Sequence, residues 1–302
     1  MDPSDWRQPL VRQLAWTLAG PSLLDGQGRH GHGAVADDWC QRCYVRLLSW
    51  FTDCDADPTP IVTALEDAAS HRLGHRFEAL VACWLRRLTG GRVLLNQPVR
   101  VGRRVLGECD LLWHDGQGWW HWECAVKFYL QGGAAGDLRA WRGPDPSDSL
   151  VDKLDDLFGR QLQWTMDPRA ATMLLQAGVR GAVRTAGLVK GWLFFAGSDW
   201  ATTPAPAACS PDLARGWWCH RRDAASMPQR GRDSRYVVVG KEDWLGPLRR
   251  PRGDGQPRAA CARALQRRPA HHTHLVIELR PSLSGDLAEH SRGFVVPDGW
   301  PG

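Results

Sequence analysis

"GECDLLWHDGQGWWHWECAVKFYL", Gly107 to Leu130, reads as two β-strands joined at the turn signal "DGQG", Asp115 to Gly118. Side chains of a strand alternate between faces. In the second strand the even positions Trp120, Trp122, Cys124, Val126, Phe128 and Leu130 are all apolar and form a core face. The odd positions put Glu123 and Lys127 on the opposite face, with His121 and Ala125. In the first strand Glu108 and Asp110 share a face with Leu106 and Leu112, while Cys109, Leu111 and Trp113 take the other. Paired as a hairpin, the strands bring Asp110 and Glu123 within reach of one ion. Crowded carboxylates raise each other's pKa unless a cation neutralises them. Hard oxygen ligands suit Mg²⁺ or Mn²⁺, which polarise a phosphate and acidify a bound water. A nearby lysine orients that water or stabilises phosphoryl charge. On the residues alone, the alternative is an amphipathic hairpin with a solvated charged face and a cross-strand Lys–Glu pair.

Working outward, "RLGHRFEALVACWLRRL" carries one apolar stripe of Leu73, Phe77, Leu80, Val81, Trp84 and Leu88, so it reads as a helix with Gly74 and Glu78 on one face. "RVLLNQPVRV" reads as a strand that Pro98 places at an edge or strand end. "SLVDKLDDLFGRQLQW" is a second helix started by Ser149 and Asp152, and "LVKGWLFFAG" a buried strand. Residues 1–70 look helical, with Gly20-Pro21 ending one helix, Asp37 or Asp38 capping the next and "TPIVTALEDAA" a short third. Strands are expected near "GWWCHRR", "RYVVVG" and "HTHLVIELR". Residues 246–270, with seven Arg against Asp254 alone, read as a mobile loop.

Three motifs follow in order: "GHRFE" (Gly74 to Glu78), "GECDL" (Gly107 to Leu111) and "WECAVK" (Trp122 to Lys127). On these, Gly74 to Lys127 resembles the PD-(D/E)XK nuclease superfamily, especially its Holliday-junction-resolvase-like bacterial branch. The wider chain resembles a bacterial family of uncharacterised proteins linked to that superfamily, through "LAWTLAGPSLL", "WECAVKFYL" and "DKLDDLFGRQL". The resemblance implies an α/β, restriction-endonuclease-like core over residues 71–200, with a mixed central sheet flanked by helices. A helical region, 1–70, would pack on it, and a β-containing extension, 201–302, would follow. It also implies an Mg²⁺- or Mn²⁺-dependent nuclease acting on DNA. Asp110 and Glu123 would bind the metal, with the Cys124 backbone carbonyl as a third ligand and Glu78 joining through water. An E-x-K motif places its lysine at position 125, which here is Ala125. Lys127 would replace it from the same face, displaced by about 6.6 Å along the strand. Lys153 and Gln161, on the second core helix, would reach phosphate or stay solvated.

Composition permits this without requiring it. The net charge is +5, and residues 215–235 hold six Arg against two Asp, so Arg221 and Arg222 are candidate nucleic-acid contacts. Trp217 and Trp218 would stack on bases or pack in a core. The opening "MDPSDWRQPL" has no apolar run and no segment reaches membrane-span length, so the expectation is a cytoplasmic protein with reduced thiols. Cys40 and Cys43 form a CxxC, read as a zinc half-site or as two helix-face cysteines. Two other functions stay open: a catalytically inactive nucleic-acid-binding protein that keeps the fold, and an assembly protein whose helical N-terminal region binds a partner.

Overall fold

A mixed sheet of eleven strands runs through the computed structural model, which describes residues 1–68 and 70–302. Its strands are β1 (Gly33–Ala34), β2 (Val93–Val101), β3 (Arg104–His114), β4 (Trp119–Gln131), β5 (Trp141–Arg142), β6 (Val183–Ala196), β7 (Ala214–His220), β8 (Arg235–Val239), β9 (Arg249–Arg250), β10 (His274–Pro281) and β11 (Leu287–Val296). The helices are α1 (Pro9–Ala19), α2 (Asp37–Ala56), α3 (Thr59–Glu66), α4 (Leu73–Thr89), α5 (Leu150–Gly159), α6 (Ala171–Gln176) and α7 (Arg258–Gln266). The sheet order is β2-β3-β4-β6-β7-β11-β10-β8. Pairing is antiparallel through β2-β3-β4, parallel through β4-β6-β7-β11 and antiparallel again through β11-β10-β8. The fold is mixed α/β, with a helical N-terminal region and a strand-rich C-terminal region joined to one continuous sheet. No helix among the described residues is long and apolar enough to cross a membrane.

The even side chains of β4 join the large core under α1, α2 and α4. Helix α4 buries Phe77, Leu80, Val81, Trp84 and Leu85, and ends at Gly90, whose φ of 78° is the left-handed conformation that closes a helix. Trp16 of α1 stacks on Trp192 of β6 at 4.3 Å, and the Arg292 guanidinium lies 4.1 Å from the Trp192 ring centroid. Lys190 of β6 is fully buried, and its ammonium donates to the Gly20 carbonyl, to Ser22 and to Asp37 at 3.0 Å. That contact corrects one expectation. Asp37 does not cap α2; its carboxylate accepts from Ser22 and Lys190, and Ala36 takes the cap position.

The odd face of β4 is not a solvated surface. Helix α5 lays Leu150, Leu154, Leu157 and Phe158 over Ala125, Tyr129 and Val189, giving a second core. Its start is fixed by Ser149, whose hydroxyl accepts from the Asp152 N–H. Gly187, paired with Glu123 in the β4–β6 ladder, lets α5 approach: a Cβ there would lie 2.7 Å from the Phe158 ring. Residues 246–270 are not a loop throughout. They contain β9 and α7, and α7 buries Cys261, Ala262 and Leu265 against β8 and β10 residues.

Candidate functional site

β3 and β4 pair over four residues only, from Leu111↔Trp122 to His114↔Trp119. Beyond that point β4 continues along β6, while β3 continues along β2. The two strands fork at Asp110 and Glu123. Backbone N–H groups that leave a ladder need other acceptors, and here carboxylates supply them. The Cys124 N–H donates to Asp110 Oδ2 at 2.8 Å, and the Asp110 N–H donates to Glu123 Oε1 at 3.3 Å. Each carboxylate therefore reaches across to the other strand.

The fork also breaks the alternation expected for β3. Cys109 packs in the same cluster as Leu112, while Leu111 faces the α4 side. On the neighbouring strand Asn96 has a φ of 53° and lies between the pairs Leu95↔Leu111 and Gln97↔Cys109. Asn tolerates this left-handed conformation better than most residues. Its Nδ2 donates to Glu78 at 3.2 Å and to Glu108 at 3.0 Å, tying both carboxylates to the rim of the fork.

Burial dominates the electrostatics. It raises the Asp110 pKa, and the neighbouring Glu123 raises it further. Glu123 is fully buried and is raised by the same desolvation, with Glu78 adding to it. Glu78 is pushed up to about 7 by burial and by Asp110. Burial lowers His121 to about 4, so its imidazole is neutral near pH 7. His121 Nε2 lies 2.7 Å from Glu123 Oε1, and Nδ1 lies 3.3 Å from the Thr165 hydroxyl. Glu123 Oε2 is buried without a hydrogen-bond partner.

Lys127 does not lean back over Ala125. Its ammonium donates to Asp148 at 2.7 Å and lies 5.9 Å from the Tyr129 ring centroid, and Ala125 is covered by the α5 layer. The ammonium whose charge lowers the pKa of both Asp110 and Glu123 is Lys153. Gln161 is not on the second core helix: α5 ends at Gly159, and Gln161 opens the following 3-10 turn, where it and Lys153, both half-buried, are held together by a 3.0 Å hydrogen bond. Arg221 and Arg222 are occupied elsewhere. Arg221 caps the carbonyls of Leu265 and Gln266 at the end of α7, and Arg222 bonds the Asp298 carbonyl. Trp217 is buried and donates to Ser291, while Trp218 packs edge-on against Trp300.

Among the described residues no three His, Cys, Asp or Glu side chains converge as a metal-binding group. Cys40 and Cys43 are buried in the core, with burial raising both thiols to about 11. What the fork offers is a pair of neighbouring carboxylates, each bonded to a backbone N–H of the other's strand, and one orphaned buried oxygen. That donor set fits a hard cation completed by water and backbone oxygen, with Glu78 held beside it by Asn96.

Asn96, Thr165 and Asp148 were not expected at or near the site. Only Asn96 left a signal, as a poor strand former inside a strand. A separate cavity of about 610 Å³, lined by Trp39, Trp113, Trp120 and Trp122, opens at the other end of α4. Its wall residue Thr89 lies about 16 Å along the helix from Glu78.

A family described as a domain of unknown function, DUF1853, matches residues 12–296. The chain belongs to that family. The matched span begins in α1 and ends at the last residue of β11, so the fork and the C-terminal strands lie inside one family unit. No curated protein and no solved structure matches the chain.

Proposed function

We propose that the protein is a nuclease that hydrolyses phosphodiester bonds of DNA with Mg²⁺ or Mn²⁺ held at the fork by Asp110 and Glu123. One observation carries it: two carboxylates are brought together where β3 and β4 separate, with Glu78 beside them and the Lys153 ammonium acting on both. When bound, the cation would polarise a phosphoryl oxygen and acidify a coordinated water. His121 fixes the orientation of Glu123 through Nε2. Lys153, held by Gln161, would supply positive charge to a phosphoryl group bound at the fork. In this role Lys153 replaces Lys127, whose ammonium is engaged by Asp148.

A second reading, nucleic-acid binding without cleavage, is favoured by the lack of a third converging ligand among the described residues. One experiment separates the two. Duplex, nicked and branched DNA are incubated with the full chain and Mg²⁺ or Mn²⁺, beside Asp110→Asn and Glu123→Gln, with folding followed by circular dichroism. Cutting by the wild type that both variants lose is the expected result. Binding without cutting under either metal overturns the nuclease proposal.

A further inference from the structure

β2 and β3 form an arm that leaves the fork and ends in a two-residue turn, Gly102-Arg103, between the paired Val101 and Arg104. Gly102 at φ 58° supplies the left-handed first position of such a turn. Below the tip the register slips from Val99↔Gly107 to Arg100↔Val105, so Leu106 is an extra residue that increases the local twist. Directly opposed residues of a ladder share a face. Arg100 and Val105 therefore occupy one face, Val101 and Arg104 the other, with Arg103 at the turn. All six residues from 100 to 105 are exposed. Among the described residues none of these three guanidinium groups is hydrogen-bonded or ion-paired, whereas Arg249 holds Asp286 and Arg292 holds Glu289.

This distribution selects a partner. A flat anionic surface is met by cations on one face; a groove between two phosphate backbones is met by cations on both. The major groove of B-form DNA, about 12 Å wide, admits a two-stranded β-ribbon. From Arg104 back to Asp110 is six residues, about 20 Å along the ribbon; Val99 and Cys109 are fully buried, so the part free to enter a groove is the tip, residues 100–105.

We infer that the β2–β3 ribbon is a duplex-DNA clamp whose tip enters the major groove, with Arg100 and Arg104 on phosphates of its two walls and Arg103 at its floor or on a third phosphate. The inference rests on the phosphodiester reading of the fork for its orientation. The A-form major groove is deep and narrow and closed to side chains, so the ribbon discriminates against duplex RNA.

The test measures duplex binding by fluorescence anisotropy in EDTA between 50 and 200 mM salt, with the full chain and with Arg100→Ala/Arg103→Ala/Arg104→Ala. Each phosphate contact contributes about 0.9 to the slope of log K against log salt. Loss of two contacts, or three if Arg103 also meets a phosphate, removes about 1.8 to 2.7 from the slope, or about 12- to 40-fold of the wild type's salt sensitivity over that range. Duplex RNA competes far less well than duplex DNA. A control, Arg263→Ala/Arg267→Ala/Arg268→Ala, removes the same charge on and after α7 and keeps the slope. Wild-type slope and affinity in the ribbon variant, an equal loss in the control, or equal competition by duplex RNA each overturn the clamp. So does a wild type with no salt-sensitive duplex binding. Cutting is assayed in parallel with Mg²⁺. Ribbon-dependent binding without any cutting supports the clamp and removes the nuclease reading, whereas cutting with ribbon-independent binding does the reverse.

Discussion

Glu78→Gln should make the metal-free protein more stable at pH 8 and leave it unchanged near pH 4.5. The glutamine keeps an oxygen that accepts from Asn96 and removes the ionisation. Burial and Asp110 raise the Glu78 pKa from 4.5 to about 7 in the folded protein. The folded state therefore keeps a proton that the unfolded chain releases. The resulting stabilisation is complete below pH 4.5 and is lost as pH rises to 7. At 1.36 kcal/mol per pKa unit, the wild type loses up to about 3 kcal/mol across that interval. Glu78→Gln loses none of it, so the gap between the two proteins grows from zero to about 3 kcal/mol. Urea denaturation in EDTA at half-unit steps from pH 4.5 to 8.5 measures it, with m-values checked for equality. A gap that stays constant across this range refutes the account, because a pH-independent difference comes from packing and not from an ionisation.

Three further outcomes follow from contacts already described. Lys190→Met should cost about 3 kcal/mol in urea denaturation, since it leaves Asp37 and the Gly20 carbonyl without their buried partner; a cost near zero would show that the clamp between β6 and the N-terminal helices contributes nothing. Lys153→Ala should lower cutting by about 100-fold, while Lys127→Ala leaves it unchanged, and the reverse order would return the motif lysine to β4. Amides of residues 260–266 should be protected from hydrogen exchange, and Leu265→Ala should cost about 2–4 kcal/mol; rapid exchange throughout would return the segment to a loop.

The legible part of the fold is the part with a clean period. The run α4, β2, β3, β4, α5, β6 follows from one helical stripe, two alternating strands, a capped second stripe and a continuous apolar run; the order holds, but α5 stops at Gly159, short of Gln161 and Leu162, and β6 starts at Val183, five residues before its apolar run. Composition masks helix α7: seven arginines in residues 246–270 suggest a loop, although "RAACARAL" contains four alanines, the strongest helix former. The fork was illegible for a different reason. Alternation assigns residues to faces but does not say where two strands stop pairing. The departure of β3 from β4 at Asp110 coincides with a left-handed Asn96 on a third strand, and a period-two pattern cannot express it. The same limit explains the lysine. Spacing along β4 points to Lys127, whereas the ammonium whose charge lowers the pKa of Asp110 and Glu123 belongs to a helix, 26 residues further along the sequence.

That packing makes Gly187 a control point for the site. Gly187 sits beside Glu123 in the β4–β6 ladder, and a Cβ there would lie 2.7 Å from Phe158 and 3.0 Å from Leu157. Gly187→Ala forces the Phe158 and Leu157 side chains to shift, and the expected outcome is that α5 moves outward with them and carries Lys153. Overpacking of this kind costs about 1–3 kcal/mol, so the variant folds. Lys153 lowers the pKa of Asp110 and Glu123, so withdrawing it raises both, and more alkaline conditions are then needed to ionise the pair. The acidic limb of the pH–rate profile for cutting should move to higher pH, and Lys153→Ala should move it the same way. The double variant should move it no further than Lys153→Ala alone, since both act through one ammonium. A Gly187→Ala protein that loses stability but keeps the wild-type pH profile would separate α5 packing from the chemistry of the fork and remove Lys153 from it.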